Sequence, residues 1–190
     1  MHADSWALKA KKLGLRSRAV FKLEEILHKT KALQGSRKVL DLGSAPGGWS
    51  ELVKQLSPQT DIYAIDLLPM TAINGVTFFQ EDIENINSIE EIVNLKGEFD
   101  LVISDLAPNL TGINAVDEEN IFNLNLLTLT TATNYLKKGK GAFVIKTFQN
   151  NLLKKLRTEI EKSFSFVQTH KPAASKSKSG EIYFYGEGTL

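Results

Sequence analysis

The chain has 190 residues, 42% of them hydrophobic, which is enough for one domain with a sizeable core, and no apolar run approaches a membrane span. It has no cysteine, which excludes disulfides, thiolate metal sites and a cysteine nucleophile, and its three histidines (His2, His28, His170) are too scattered to make a ligand motif. The net charge of +1 conceals three blocks: ten Lys/Arg against three Asp/Glu over residues 1–38, two against fifteen over 39–136, and eleven against four over 137–190.

Residues 3–13 read as a basic helical arm, without the apolar core of a signal peptide, so a cytoplasmic protein is expected. Residues 17–30 predict a helix. Val20, Leu23, Ile26 and Leu27 recur at helical spacing, and Lys22 lies off that stripe. After a break at Gly35 and Ser36, residues 39–42 read as a short buried strand, 43–48 (GSAPGG) as a sharp turn, and 49–56 as a helix. Strand, Gly-rich turn and helix open a Rossmann-like unit, in which a ligand sits over the C-terminal end of the first strand. The glycines are expected to let that ligand approach the backbone without meeting a Cβ. The turn is not G-x-G-x-x-G, so the usual dinucleotide fingerprint is absent. Residues 62–66 form a second strand ending in Asp66, where an acid commonly accepts hydrogen bonds from ribose hydroxyls. Residues 76–79 make a third strand, followed by Glu81 and Asp82, and residues 88–95 a short helix capped by Ser88.

Residues 99–105 (FDLVISD) are a strong buried strand ending in Asp105, followed by a rigid turn at 106–109 and a mobile loop at 110–117. A long helix spans 117–136, and residues 142–148 (AFVIKTF) form another buried strand with Lys146 near its end. Leu152, Leu156 and Ile160 mark an amphipathic helix, and the last two strands are 164–169 and 181–185. Their link, residues 171–180, is a basic, small-residue loop expected to order on meeting a partner. Alternating strands and helices imply an α/β fold, a mostly parallel sheet with helices on both faces. A ten-residue link is short for a helical crossover, so the final strand is expected to be antiparallel. The whole chain reads as one domain, with residues 1–37 a basic arm and helix and 38–190 the core.

In such sheets the ligand groove lies at the carboxyl ends of the strands, where this chain places Asp41, Asp66, Asp82, Asp105 and Lys146. A buried strand rarely ends in lysine, because an unpaired buried ammonium is costly. Lys146 either serves the site, pairs with Asp105, or reaches out to solvent. Asp105 either serves the site or caps the following turn. If the two basic ends fold onto one face, that face suits a phosphate backbone.

The strings RSRAVFKLEEI, DLGSAPGGWS, IDLLPM, SDLAPN, FVIKTFQ and SGEIYF, in that order, resemble the FtsJ (RrmJ) family of S-adenosylmethionine-dependent ribosomal RNA 2′-O-methyltransferases. The resemblance implies the Rossmann-like methyltransferase fold with seven strands and an antiparallel last one. It implies methyl transfer from S-adenosyl-L-methionine to a ribose 2′-hydroxyl of a uridine in large-subunit ribosomal RNA. The expected partner is ribosomal RNA within the large ribosomal subunit, with the protein acting as a monomer. The family's catalytic set falls on Lys22, Asp105, Lys146 and Glu181, and its cofactor positions on Gly47, Trp49, Asp66, Asp82 and Asp105; no metal is implied. Asp66 is expected to hold the ribose, Asp82 to approach the adenine, and Asp105 to lie near the methionine amine. Where the family often has Gly before Asp82, this chain has Glu81. Lys146 is the candidate base, its neutral form favoured by burial and by Lys22, with Asp105 orienting it and Glu181 supporting. Transfer RNA as substrate and a non-catalytic RNA-binding assembly factor are the alternatives. Carbon-5 base methylation is excluded by the missing cysteine.

Overall fold

A computed structural model describes residues 5–175 and 179–190. One sheet holds all seven of its strands: β1 (Lys38–Leu42), β2 (Asp61–Asp66), β3 (Val76–Gln80), β4 (Leu101–Ser104), β5 (Ala142–Phe148), β6 (Phe164–His170) and β7 (Glu181–Thr189), in the order β3-β2-β1-β4-β5-β7-β6. The pairs β3–β2, β2–β1, β1–β4 and β4–β5 are parallel. The last strand enters between β5 and β6 and runs antiparallel to both, as its short connection required. The chain steps outward from β1 to β3 and then returns to lay β4 on the other side of β1. That reversal opens a crevice above the carboxyl ends of β1 and β4, the place where open α/β sheets bind ligands.

Among the described residues six α-helices flank the sheet: α1 (Ser5–Lys12), α2 (Val20–Thr30), α3 (Gly48–Leu56), α4 (Glu90–Val93), α5 (Asn114–Tyr135) and α6 (Leu153–Glu161). Successive strand side chains alternate between the two faces, and the two main apolar clusters follow that alternation. Val39, Leu101, Ile103, Val144 and Tyr183 meet Leu23, Ile26, Trp49 and Val53 of α2 and α3. Leu40, Leu42, Val102, Phe143 and Ile145 meet Ile92, Phe122, Leu129 and Ile160 of α4, α5 and α6. Each fully buried Leu, Ile, Val or Phe contributes about 1.5–3 kcal/mol to folding, so these two layers fix which way every strand residue faces. Among the described residues no helix is long and apolar enough to cross a membrane.

Three local expectations change. The helix predicted over 88–95 is the four-residue α4, and a 3₁₀ turn over Ile83–Ser88 precedes it. The capping acceptor is Asp82, whose carboxylate takes the Glu84 N–H at 2.9 Å; Ser88 is the last residue of the turn and caps nothing. Helix α5 starts at Asn114, three residues earlier than expected, because Asp117 accepts the Thr111 N–H and hydroxyl and the Gly112 N–H at 2.7, 2.8 and 3.1 Å. These bonds tie down the loop that was expected to be mobile. Finally, of the predicted flexible link 171–180, residues 176–178 lie outside the described residues. Its first part is fastened to the helices: the Ala173 N–H donates to Glu25 Oε2 at 2.8 Å, and Ala174 is buried against Ala10 and Phe21. The N-terminal and C-terminal basic segments therefore meet.

Candidate active site

The period of two places the chemistry. Leu101 and Ile103 of β4, Ala142 and Val144 of β5, and Tyr183 and Tyr185 of β7 face α2 and α3; Lys146 and Glu181 continue that parity along β5 and β7, and Asp105 follows directly on the end of β4. The register pairs Lys146 with Tyr183. Asp105, Lys146, Tyr183 and Glu181 thus gather at one corner of the sheet. Lys22 reaches the same corner from α2. It lies off the apolar stripe yet is only 4% exposed.

A buried ammonium needs anionic or carbonyl partners to offset its lost hydration. Both lysines have them. Lys146, 8% exposed, donates from Nζ to the Asp105 carbonyl oxygen at 2.5 Å and faces Asp105 Oδ1 at 3.1 Å. Lys22 Nζ lies 2.5 Å from Glu181 Oε1. The Tyr183 hydroxyl stands between the two pairs, 3.1 Å from Glu181 Oε1 and 3.4 Å from Asp105 Oδ1. Burial, with the charges of Asp105 and Glu181, holds its proton on, so it acts as a donor. Burial pushes the Asp105 carboxyl above its ordinary range, opposed by Lys146 and Lys22. Glu181 goes the other way: burial opposes its ionisation, but the Lys22 hydrogen bond and charge outweigh that. The corner therefore holds one firm ion pair, Lys22–Glu181, beside a second in which the carboxyl is the easier of the two to protonate.

Beside this corner lies a cleft of about 820 Å³ at the switch point. Its walls include Gly43, Ala45, Asp66, Glu81, Asp82, Asp105 and Leu106. Asp105 belongs to both the cleft and the lysine corner. Asp66 closes the Gly-rich turn: its Oδ2 accepts the Ala45 N–H and its Oδ1 the Leu68 N–H, each at 2.8 Å. Glu81, where the family often has Gly, turns back on its own chain and accepts from the Asp82 N–H and the Asn85 amide at 2.8 and 3.1 Å.

Two of the expected cofactor positions stand beside the cleft's lining, in and just after the turn that carries Gly43 and Ala45. Neither Gly47 nor Trp49 lines the cleft. The Trp49 indole is 3% exposed, donates to the Ala19 carbonyl at 2.9 Å and packs on Tyr183, so it anchors α2, the helix that carries Lys22. The glycines are also needed for packing. A Cβ on Gly43 (φ +79°) would lie 2.6 Å from Leu106 Cδ2, and one on Gly47 (φ +101°) would lie 2.8 Å from Ile73 Cδ1 and 2.9 Å from Met70 Sδ. Both positions need positive φ and close approach of neighbouring side chains.

Sequence reading missed Tyr183 and Arg16. The signal for Tyr183 was available, since it stands two residues after Glu181 in a strand and must share its face. For Arg16 there was none. Its guanidinium donates to the carbonyls of Pro46, Thr71 and Ala72 at 3.1, 3.0 and 3.4 Å, stapling the N-terminal segment to the turn and to the loop after β2.

This strand order, with a cleft above β1 and β4 and an antiparallel seventh strand, is the methyltransferase variant of the Rossmann fold. The model of the FtsJ-like methyltransferase family matches residues 15–189. The ribosomal RNA large subunit methyltransferase E proteins of Xanthomonas euvesicatoria and Xanthomonas oryzae are each 40% identical to this chain over 193 residues, 98% of it and 90% of theirs. The crystal structure of a ribosomal RNA methyltransferase from Plasmodium falciparum superposes with a TM-score of 0.80 at 28% identity, covering 92% of this chain and 98% of the other. The chain belongs to the FtsJ-like methyltransferase family.

Proposed function

We propose that the protein transfers a methyl group from S-adenosyl-L-methionine to the 2′-hydroxyl of a uridine in large-subunit ribosomal RNA, with Lys146 as general base. The observation that carries this reading is the position of Asp105, shared by the cleft and the buried lysine corner. A cofactor in the cleft and a nucleophile at the corner would meet there. The relatives named ribosomal RNA large subunit methyltransferase E supply the substrate class.

The cleft suits a nucleoside cofactor. Its volume is within the range of small-molecule sites, and its rim carries Asp66 and Asp82. Each Asp66 oxygen accepts one backbone N–H and so keeps acceptor capacity for ribose hydroxyls. Asp82 would face the adenine of the bound cofactor, and Asp105 its amine. The cofactor supplies an electrophilic methyl on a positively charged sulfur. The methyl–sulfur bond would break as the ribose oxygen bonds to the methyl carbon, its electron pair leaving with the neutral thioether, and Lys146, in its neutral form, would take the proton of that hydroxyl. Asp105 holds the Lys146 Nζ in place. Lys22, fixed by Glu181, adds positive charge beside the reacting oxygen.

The test is transfer of labelled methyl from S-adenosylmethionine to large ribosomal subunits and, separately, to transfer RNA, with the modified nucleoside identified. 2′-O-methyluridine in the ribosomal RNA is the expected product. A methylated base, or label in transfer RNA alone, would overturn the assignment.

A further inference from the structure

The segment 171–175 follows β6, and it touches the lysine corner at one end and α2 at the other. The Ser175 N–H donates to the Pro172 carbonyl at 2.9 Å, closing a turn. Within that turn the Ala173 N–H donates to Glu25 Oε2 at 2.8 Å, while Glu25 Oε1 holds Lys29 at 2.6 Å. Ala174 is 1% exposed, packed with Ala10 of α1 and with Phe21, the residue before Lys22. The Ser175 hydroxyl then lies 3.3 Å from Glu181 Oε1, the same oxygen that takes Lys22 and Tyr183. Glu25 stands three residues after Lys22, so one helix face carries both the buried ammonium and the anchor of the segment that reaches its counterion.

We infer that Ser175 and Glu25 are positioning residues of the methyl-transfer site: Glu25 fastens the 171–175 segment to α2, and Ser175 at the end of that segment sets the Glu181 carboxylate against Lys22. This rests on the functional reading above, in which the Lys22–Glu181 pair belongs to the machinery. The physical reason is rotational. The terminal torsion of a carboxylate is soft; Lys22 from α2 and Tyr183 from β7 already hold Oε1, and Ser175 adds a third donor to the same oxygen from a third segment, which narrows the turn that the other two leave.

The prediction is read in single-turnover methyl transfer to one ribosomal RNA substrate. Ser175→Ala is expected to lower the rate constant by roughly threefold to tenfold, the net weight of one ordinary hydrogen bond, and by no more than Glu181→Gln does. Affinity for S-adenosylmethionine and for RNA, and the melting temperature, should stay at wild-type values. Ser175→Thr, which keeps the hydroxyl, should restore the rate. Glu25→Gln keeps an acceptor for the Ala173 N–H and should stay near wild type, whereas Glu25→Ala should fall as Ser175→Ala does. The deciding arm is the double variant. Because Ser175 acts through Glu181, adding Ser175→Ala to Glu181→Gln should cost nothing more. A wild-type rate in Ser175→Ala, or full additivity with Glu181→Gln, overturns the inference and leaves the function standing. A wild type that methylates no ribosomal RNA overturns the functional reading, and this one with it.

Discussion

Lys146 and Lys22 are both buried ammonium groups, and their partners assign them different work. Lys146 is held by two oxygens of a single residue, Asp105, one of them a backbone carbonyl. In the proposed reaction it must shed a proton to act. Arginine stays protonated in proteins, so Lys146→Arg is expected to be as inactive as Lys146→Ala, at least a hundredfold down on the general-base scale. Both variants should retain cofactor affinity, checked by calorimetry. Lys22 pairs with Glu181, and its proposed contribution is charge. Lys22→Arg should therefore keep part of the single-turnover rate that Lys22→Ala loses. A second buried acid nearby makes a prediction about stability. Asp41 is 0% exposed; its Oδ2 takes the Ser50 hydroxyl at 2.6 Å, and its Oδ1 has no partner among the described residues. Burial, with the charges of Asp105 and Asp66, pushes this carboxyl up to about 7, opposed by the Ser50 hydroxyl. An acid raised on folding favours the folded state while it is neutral. Its contribution is whole below the unfolded value of 3.8 and is lost as pH rises through about 7. Melting temperatures from pH 5 to 8 should fall more steeply in wild type than in Asp41→Asn, which stays neutral throughout. Parallel slopes would mean that Asp41 is already ionised at pH 5.

The elements were legible where burial is two-sided and periodic. Residues 39–42, 99–105 and 142–148 read as strands because apolar runs there fill both layers, and their order already placed Asp105 and Lys146 at the carboxyl ends of the sheet; that the two share a face needed the register. The 3₁₀ turn was not legible, because Asp82 and Ser88 are both plausible caps and only the extended backbone at Asp82 (φ −73°, ψ 138°) lets it serve the Glu84 N–H. The glycines of the turn read as room for a ligand, and Gly43 does line the cleft, but their packing demand was not legible. Their neighbours proved to be Leu106, Met70 and Ile73, which come from 23 or more residues away. Arg16 was counted with the basic residues of the arm for the same reason: its partners are carbonyls more than 29 residues distant. Its place makes it part of the cleft's frame. Arg16→Ala should weaken S-adenosylmethionine binding several-fold, because the turn and the loop after β2 lose a shared fork of donors. Arg16→Lys should rescue little, since one ammonium cannot reproduce the planar fork. Calorimetry on the two variants decides it; unchanged affinity in both would make the staple a feature of the arm alone.

At the scale of the whole molecule, the charge blocks acquire a shape. The acidic middle block builds β1 to β4 and α3 to α5, including the acids of the cleft, while α1, α2 and the 171–175 segment bring the two basic blocks together beside Lys22. A polyanion approaching that side meets lysines first and the reactive corner next, which is the order a ribose 2′-hydroxyl within a phosphate backbone requires. Not every cation there is free for that task. Arg16 is committed to carbonyls, and the Lys9 ammonium sits over the rings of Trp6 and Phe21, 5.1 and 4.8 Å from their centroids. Lys11 and Lys12 are exposed in the last turn of α1. They carry the prediction for RNA. Lys11→Gln together with Lys12→Gln should weaken binding of the ribosomal RNA substrate and lower the slope of log affinity against log salt by about 1 to 2, each phosphate contact contributing roughly 0.7–0.9. The same double variant should bind S-adenosylmethionine as wild type does, because the cleft lies at the other side of Asp105. An unchanged salt slope would show that α1 faces solvent in the complex, and the phosphate contacts would then fall to the basic residues of the C-terminal block.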